Sequence, residues 1–169
     1  SAFVTVLLKS LSRRLRLELA DLNLNSTSDI LLWINNQLLQ SELGQHVTMF
    51  LGLLDKYKKQ LEYSNAAQFP GAILSTPEST RFLEIGGLYQ SAEYESRRVE
   101  LPESFTMVMF SDGVFEIMPQ ETLKAKEEYL LSLVQCGNRS IESLEDHLGL
   151  DAVQEVPDDI AVFTVAKTG

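Results

Sequence analysis

Two short stretches of the sequence place aspartates where an apolar run ends or begins. Asp112 ends the most apolar run of the chain, within MFSDGVFE, and Asp158 and Asp159 open the final apolar run, within PDDIAVFTV. A carboxylate at the end of a buried strand is poorly hydrated and costly unless a positive charge meets it. Hard divalent cations such as Mg²⁺ and Mn²⁺ bind carboxylate oxygens. The pattern therefore suggests a divalent-metal site.

A turn is the competing interpretation of the same residues. Ser-Asp-Gly is a common turn signal, and Asp-Asp before a strand is a common solvated loop. Because adjacent strand residues point to opposite faces, at most one of Asp158 and Asp159 is expected to face a site shared with Asp112. The motifs by themselves leave both interpretations open.

Composition excludes several classes of protein and site. The 169 residues suggest one domain, residues 1–169, which is long enough to bury a stable core. The net charge of -10 disfavours binding to nucleic acid or acidic membranes. A single cysteine, Cys136, and two distant histidines, His46 and His147, argue against a zinc site. Apolar runs fall far short of the ~20 residues that span a bilayer, so we expect a cytoplasmic protein.

The order of predicted elements indicates the fold class. Apolar spacing predicts helices at 2–19, about 28–42, 119–135 and 140–149, with Pro119 at the start of the third. Shorter apolar runs between Pro and Gly predict strands at 46–55, 61–67, 71–76, 82–87, 96–102, 105–113 and 158–167. We expect strand 105–113 to be central and the last strand to pair inside the sheet. Two helices, a run of strands, two helices and a last strand indicate an α+β fold.

Three motifs in this order resemble the PPM-type, metal-dependent serine/threonine phosphatases of the SpoIIE/RsbU branch. They are LEYSNAAQFP, VMFSDGVFE and PDDIAVFTV, and the opening SAFVTVLLK resembles the helix after that family's Gly-Asp and Gly-His-Gly segment. The resemblance covers nearly the whole chain. It implies a four-layer α-β-β-α sandwich of two antiparallel sheets flanked by helices, here without its N-terminal part.

The resemblance also implies a mechanism and a set of site residues. In the family, a water or hydroxide that bridges two Mn²⁺ or Mg²⁺ ions would attack a phosphoserine or phosphothreonine in line, without a covalent enzyme intermediate. By position, Asp112 and Asp158 match metal ligands, and Asp159 matches a supporting residue beside them. Gly113 would let the backbone turn close to the metals, and Asn65 would support the site. No side chain is assigned as a catalytic group.

Departures from the family pattern leave two functions open. The family's bridging aspartate is expected before Ser1, so residues 1–169 are expected to hold an incomplete two-metal site and to be inactive alone. Ala67 and Gln68 replace the usual Gly-His, and Ala161 replaces the usual Thr. The first hypothesis is a phosphatase effector domain of a bacterial two-component response regulator, acting on a phosphorylated regulatory protein or sigma-factor regulator. The second is a catalytically degenerate adaptor that binds a sigma factor or its regulators. A homodimer would form through the parent protein.

Overall fold

The structure is a computed structural model that describes residues 2–18, 22–41, 47–83, 94–136, 141–149 and 159–168. The chain divides into two compact units, Ser1–Ala67 with Gly86–Val99, and Gln68–Ile85 with Glu100–Gly169. Each unit contains an antiparallel sheet and helices. They are called unit 1 and unit 2 below.

Unit 1 combines a three-stranded sheet with two helices. Its helices are α1 (Ala2–Glu18) and α2 (Thr27–Gln40), and its strands are β1 (Met49–Asp55), β2 (Gln60–Ala66) and β5 (Arg97–Glu100). The sheet order is β1-β2-β5, and β1 pairs antiparallel with β2, so that Leu53 lies opposite Glu62. Leu11 of α1 and Ile30 and Leu31 of α2 are buried. The helical apolar faces predicted from the sequence therefore supply part of the core.

The start of α2 is fixed by its own cap. The Ser26 hydroxyl accepts a hydrogen bond from Asp29 N (3.1 Å), and Asn25 N donates to the Asp29 carboxylate (3.0 Å). These bonds satisfy donors that a helix start would otherwise leave unpaired. The helix therefore begins at Thr27.

Thr27 then ties the start of α2 to β2. Its side chain is fully buried, and its hydroxyl lies 2.7 Å from the Ser64 hydroxyl. Its backbone N–H donates to Glu62 Oε1 at 2.8 Å. Because these partners are on β2, the helix N-terminus has a defined place on one face of the sheet.

Unit 2 is built around a four-stranded sheet in the order β4-β3-β6-β7. The strands are β3 (Ile73–Ser75), β4 (Thr80–Phe82), β6 (Phe105–Phe110) and β7 (Val162–Lys167), and the helices are α3 (Leu123–Cys136) and α4 (Ile141–Leu148). A short 3₁₀ helix, Asp112–Glu116, follows β6. Sheet and helices share a buried core of Ile73, Val108, Phe110, Val114, Phe115, Met118, Leu130, Leu133, Val134 and Leu144.

The α+β class is confirmed by two antiparallel sheets and their helices, and strand 105–113 lies inside its sheet as predicted. Its predicted end is wrong, because β6 stops at Phe110 and the chain enters the 3₁₀ helix. The predicted start of helix 119–135 is also wrong. The Thr122 hydroxyl accepts from Ala125 N (3.2 Å), so a hydroxyl cap rather than Pro119 begins α3 at Leu123.

The last strand differs from its prediction in position. Among the described residues it pairs with β6 alone, and it stands at the end of the strand order instead of inside it. It begins at Val162. Residue 158 of predicted strand 158–167 lies outside the described residues, as do residues 84–87 of predicted strand 82–87. Within the described ranges, no helix combines the length and hydropathy needed to cross a bilayer.

We expect Asp29→Asn to reduce stability at neutral pH but not in acid. Hydrogen bonds from the Ser26 hydroxyl and the Asn25 N–H lower the pKa of Asp29 below its usual 3.8. A lowered folded-state pKa contributes stability above the unfolded-state value, and this contribution is lost as pH falls through the folded-state value. Urea unfolding of both proteins at pH 7 and below pH 3.8 checks the difference. The exposed Asp146→Asn on α4 controls for the lost charge; a difference that persists unchanged in acid would contradict the prediction.

Candidate functional site

Asp112 stands at the turn where β6 gives way to the 3₁₀ helix. The next three residues, Gly113, Val114 and Phe115, are buried, whereas Asp112 is exposed. Val114 N donates to Ser111 O at 3.2 Å, which closes the turn. The apolar side chains therefore anchor the turn in the core of unit 2 and leave the carboxylate accessible to solvent.

This exposure corrects one premise of the sequence analysis. Asp112 was expected to be poorly hydrated at the end of a buried strand, and that expectation is wrong, because the strand ends before it. Desolvation therefore gives no argument for a cation at this position. The argument that remains is the chemistry of the carboxylate and its place in the family motif.

Ser111 joins this turn to the segment of the closing Asp-Asp motif. Its hydroxyl donates to Asp159 O (2.9 Å) and accepts from Ala161 N (2.8 Å), and its backbone N–H donates to Ala161 O (2.9 Å). We call these three hydrogen bonds the Ser111 clamp. The clamp continues the β6–β7 ladder, whose last pair is Phe110 with Val162, beyond the strand ends.

The clamp brings the two aspartate motifs to one end of the sheet of unit 2. Asp159 is exposed and lies on the clamped segment, before the start of β7. It therefore lies on neither face of a strand, and the alternation argument does not apply to it. Asp158, the predicted metal ligand, lies outside the described residues. Its assignment stays a prediction.

The LEYSNAAQFP motif contributes two further contacts to the same turn. Gln68 Nε2 donates to the Phe110 carbonyl at 3.1 Å, next to Ser111. The rings of Phe69 and Phe115 lie 5.3 Å apart. In this chain, the side chain at the position of the family's histidine therefore bonds the backbone at the end of β6.

Residues 61–67 of that motif belong to unit 1. Asn65 lies in β2 opposite Phe50 and is partly buried, and its supporting role stays a prediction, as does that of Gly113. Ala67 has φ 56°, a left-handed conformation that favours glycine. The family motif has glycine at this position, and in this chain an alanine occupies a backbone conformation that glycine would adopt with less strain.

The described residues test whether a metal fits the turn. No described residue makes a hydrogen bond or ion pair with the Asp112 carboxylate, so both oxygens are available, and carboxylate oxygens suit Mg²⁺ or Mn²⁺. Over the described ranges, however, no group of three or more His, Cys, Asp or Glu residues could hold an ion. Asp112 fits such a site as one ligand, and the described residues do not complete it.

Sequence reasoning did not assign a role to Ser111 or a contact to Gln68. A usable signal for Ser111 was present, because Ser and Thr hydroxyls beside strand ends commonly bond nearby backbone groups. Its partners lie 48 and 50 positions away. Only the pairing of β6 with β7 identifies them.

Comparison with known proteins gives one family match and several similar folds. A family model described as Stage II sporulation protein E (SpoIIE) matches residues 1–168. A solved structure of the Mn-presoaked phosphatase domain of SpoIIE from Bacillus subtilis has TM-score 0.62 and 15% identity, over 95% of this chain and 73% of that chain. RsbX in complex with magnesium has TM-score 0.63 and 15% identity, over 97% and 74%. No curated protein matches.

A further similar structure contains more than one domain. The RsbU and RsbW domains of a Mycobacterium tuberculosis protein give TM-score 0.67 and 21% identity, over 95% of this chain. This chain covers 47% of that one, so it spans about half its length. At such identities, the structural comparisons establish the fold alone.

We expect Ser111→Ala to destabilise the protein by about 0.5–1.5 kcal/mol, because it removes the two hydroxyl hydrogen bonds to Ala161 N and Asp159 O, whose exposed groups water can then solvate. Equilibrium urea unfolding measures the change. The matched control is Ser132→Ala on α3, where the hydroxyl only bonds its own helix at Tyr129 O and alanine has the higher helix propensity. Equal losses in both variants would show that the clamp contributes nothing specific.

Proposed function

Because the chain belongs to the SpoIIE family of PPM-type phosphatase domains, we propose that it is the phosphatase domain of a protein that hydrolyses phosphoserine or phosphothreonine on a regulatory protein. The observation that carries the proposal is the Ser111 clamp. It joins the segment of the closing Asp-Asp motif to the residue before Asp112, as a shared site requires.

In this proposal, Asp112 and Asp158 are ligands of Mn²⁺ or Mg²⁺. A bound divalent cation supplies a water of lowered pKa and neutralises charge on the phosphate. Ser111 holds the two ligand segments together, and the buried Val114 and Phe115 fix the turn that carries Asp112. Asp159 supports the neighbouring ligand. Preorganised ligands limit the reorganisation that binding requires.

The substrate proposed is a phosphorylated regulator of a sigma factor. The SpoIIE structures are named for a cell fate determinant, and the RsbU domain in the Mycobacterium tuberculosis structure occurs with an RsbW domain. The motifs of residues 1–169 contain no counterpart of the family's bridging aspartate, so we propose that Asp112 and Asp158 form only part of the two-metal site. We propose that the domain is the effector domain of a bacterial two-component response regulator.

The second candidate is an adaptor that binds a sigma factor or its regulators without catalysis, the alternative that the departures from the family pattern leave open. The specific observation in its favour is Gln68, which replaces the family's histidine and whose amide bonds the Phe110 carbonyl. Ala161 likewise contributes only backbone groups to the clamp. A domain that has lost catalysis but still binds a partner would keep the hydrogen bonds that stabilise its fold, as Gln68 and Ala161 do here.

We expect Asp112→Asn in the full-length protein to reduce Mn²⁺-dependent phosphate release from a phosphorylated partner by at least ~10²-fold, because one metal ligand is weakened. Phosphate release at saturating Mn²⁺ is the measurement. The exposed Asp146→Asn on α4 is the matched control and should retain the wild-type rate. An unchanged rate in Asp112→Asn would exclude the phosphatase proposal.

Metal-dependent stabilisation separates the two candidates. A phosphatase site predicts that millimolar Mn²⁺ raises the melting temperature and that Asp158→Asn removes the rise. The adaptor predicts partner binding that a chelator does not affect, with no stabilisation by metal. Thermal unfolding with and without Mn²⁺ therefore gives a result even when no substrate has been identified.

A further inference from the structure

A groove lies on the sheet of unit 1, beside the start of α2. Its volume is about 630 Å³, and Leu53, Gln60, Glu62 and Arg98 line it together with Asn25 and Tyr57. This volume is within the range of pockets that hold ligands, roughly 300–1,000 Å³. All of these residues belong to unit 1.

Strand alternation explains why this part of the sheet is open. Gln60, Glu62 and Ser64 occupy alternate positions of β2 and therefore share one face, and Leu53 lies opposite Glu62. Ser64 and Glu62 bond Thr27 at the start of α2. The helix covers this face at Ser64, and Leu53, which lies farther along the strands, is left 41% exposed.

The turn between β1 and β2 holds an aromatic ring at the edge of the groove. Asp55 Oδ1 accepts from Tyr57 N (3.0 Å) and Lys58 N (2.9 Å). These bonds keep the pKa of Asp55 below its usual value, chiefly through the Lys58 N–H. Tyr57 is 100% exposed. The backbone of the turn is thus fixed while its largest side chain contacts solvent, an arrangement that lowers the entropic cost of binding.

The charges of the groove favour an anionic ligand. Its two carboxylates are already satisfied, since Glu62 accepts from Arg98 Nε at 2.7 Å and from Thr27 N, and Asp55 bonds its own turn. Lys56 and Lys58 are exposed beside Tyr57. Lys58 Nζ lies 3.7 Å from Asp55 Oδ2, but an ion pair exposed to solvent contributes little energy, so both ammonium groups remain accessible to a ligand. Residues 56–59, KYKK, therefore form a local positive segment in a chain whose net charge is -10.

We propose that this groove is a docking site for an acidic segment of a partner protein that carries an apolar side chain. The apolar side chain lies over Leu53 beside Tyr57, and carboxylates of the segment meet Lys56 and Lys58. Aromatic residues ringed by polar groups are characteristic binding anchors. The groove belongs to unit 1 and Asp112 to unit 2, and the docking proposal does not depend on the proposed phosphatase function.

The charge of the chain favours a short acidic segment over nucleic acid and over a second copy of the chain. Nucleic acid is a dense polyanion that needs many cations for binding, and the chain as a whole carries -10. A second copy of the chain carries the same net charge, and the two repel at long range. A short acidic segment has few charges, and local attraction over a Debye length of about 8 Å acts on it.

The test uses the full-length protein and a fluorescently labelled synthetic peptide that alternates Glu with Leu. A second peptide with Lys in place of Glu is the charge control. We expect saturable binding of the acidic peptide alone, weakened about 10-fold by Lys56→Glu with Lys58→Glu and about 10-fold by Tyr57→Ala. Because these side chains are exposed, the variants are expected to keep the wild-type unfolding transition.

Two control variants test whether the loss of peptide binding is specific to the groove. Lys124→Glu, an exposed lysine of α3 in unit 2, should bind the acidic peptide like the wild type, and so should Asp112→Asn. The proposal is overturned by absence of saturable binding at millimolar peptide, by equal binding of the Lys peptide, or by unchanged affinity in the Lys56→Glu, Lys58→Glu variant. Tighter binding of an oligonucleotide at the same residues would also overturn it.

Discussion

The hydrogen bonds of one serine connect the two parts of the sequence that carry its acidic motifs. Ser111 uses both its hydroxyl and its backbone N–H to hold residues 159–161. Ser111 is partly buried, and each of its bonds contributes a modest net stabilisation while fixing the distance between the two segments. The position of the closing motif, and with it the proposed chemistry of Asp112, depends on this arrangement.

The rest of unit 2 keeps that arrangement in register. Val114 and Phe115 bury the 3₁₀ helix in the same core as Val108 and Phe110 of β6. Gln68 adds a bond to the last carbonyl of the strand. Because a packed core resists small displacements, the exposed turn is carried on a rigid base, which is the requirement for a site that orients ligands.

In unit 1, polar contacts also fix one element against another, and here they leave part of the sheet uncovered. There, Thr27, Ser64 and Glu62 fix the N-terminus of α2 on β2. The helix covers one part of the sheet face and leaves the groove beside Leu53 open. Satisfied polar contacts between a helix and a sheet therefore decide which apolar surface remains accessible to a partner.

Local patterns determined the element types, the α+β class and the places of the aspartate motifs, because apolar periodicity and turn residues act over a few neighbours. The family resemblance of those motifs was also present in the sequence. The exposure of Asp112, the edge position of β7 and the partners of Ser111 were decided by tertiary structure. These features depend on contacts between residues up to 50 positions apart, and a strand pattern does not specify which distant backbone groups its end will meet.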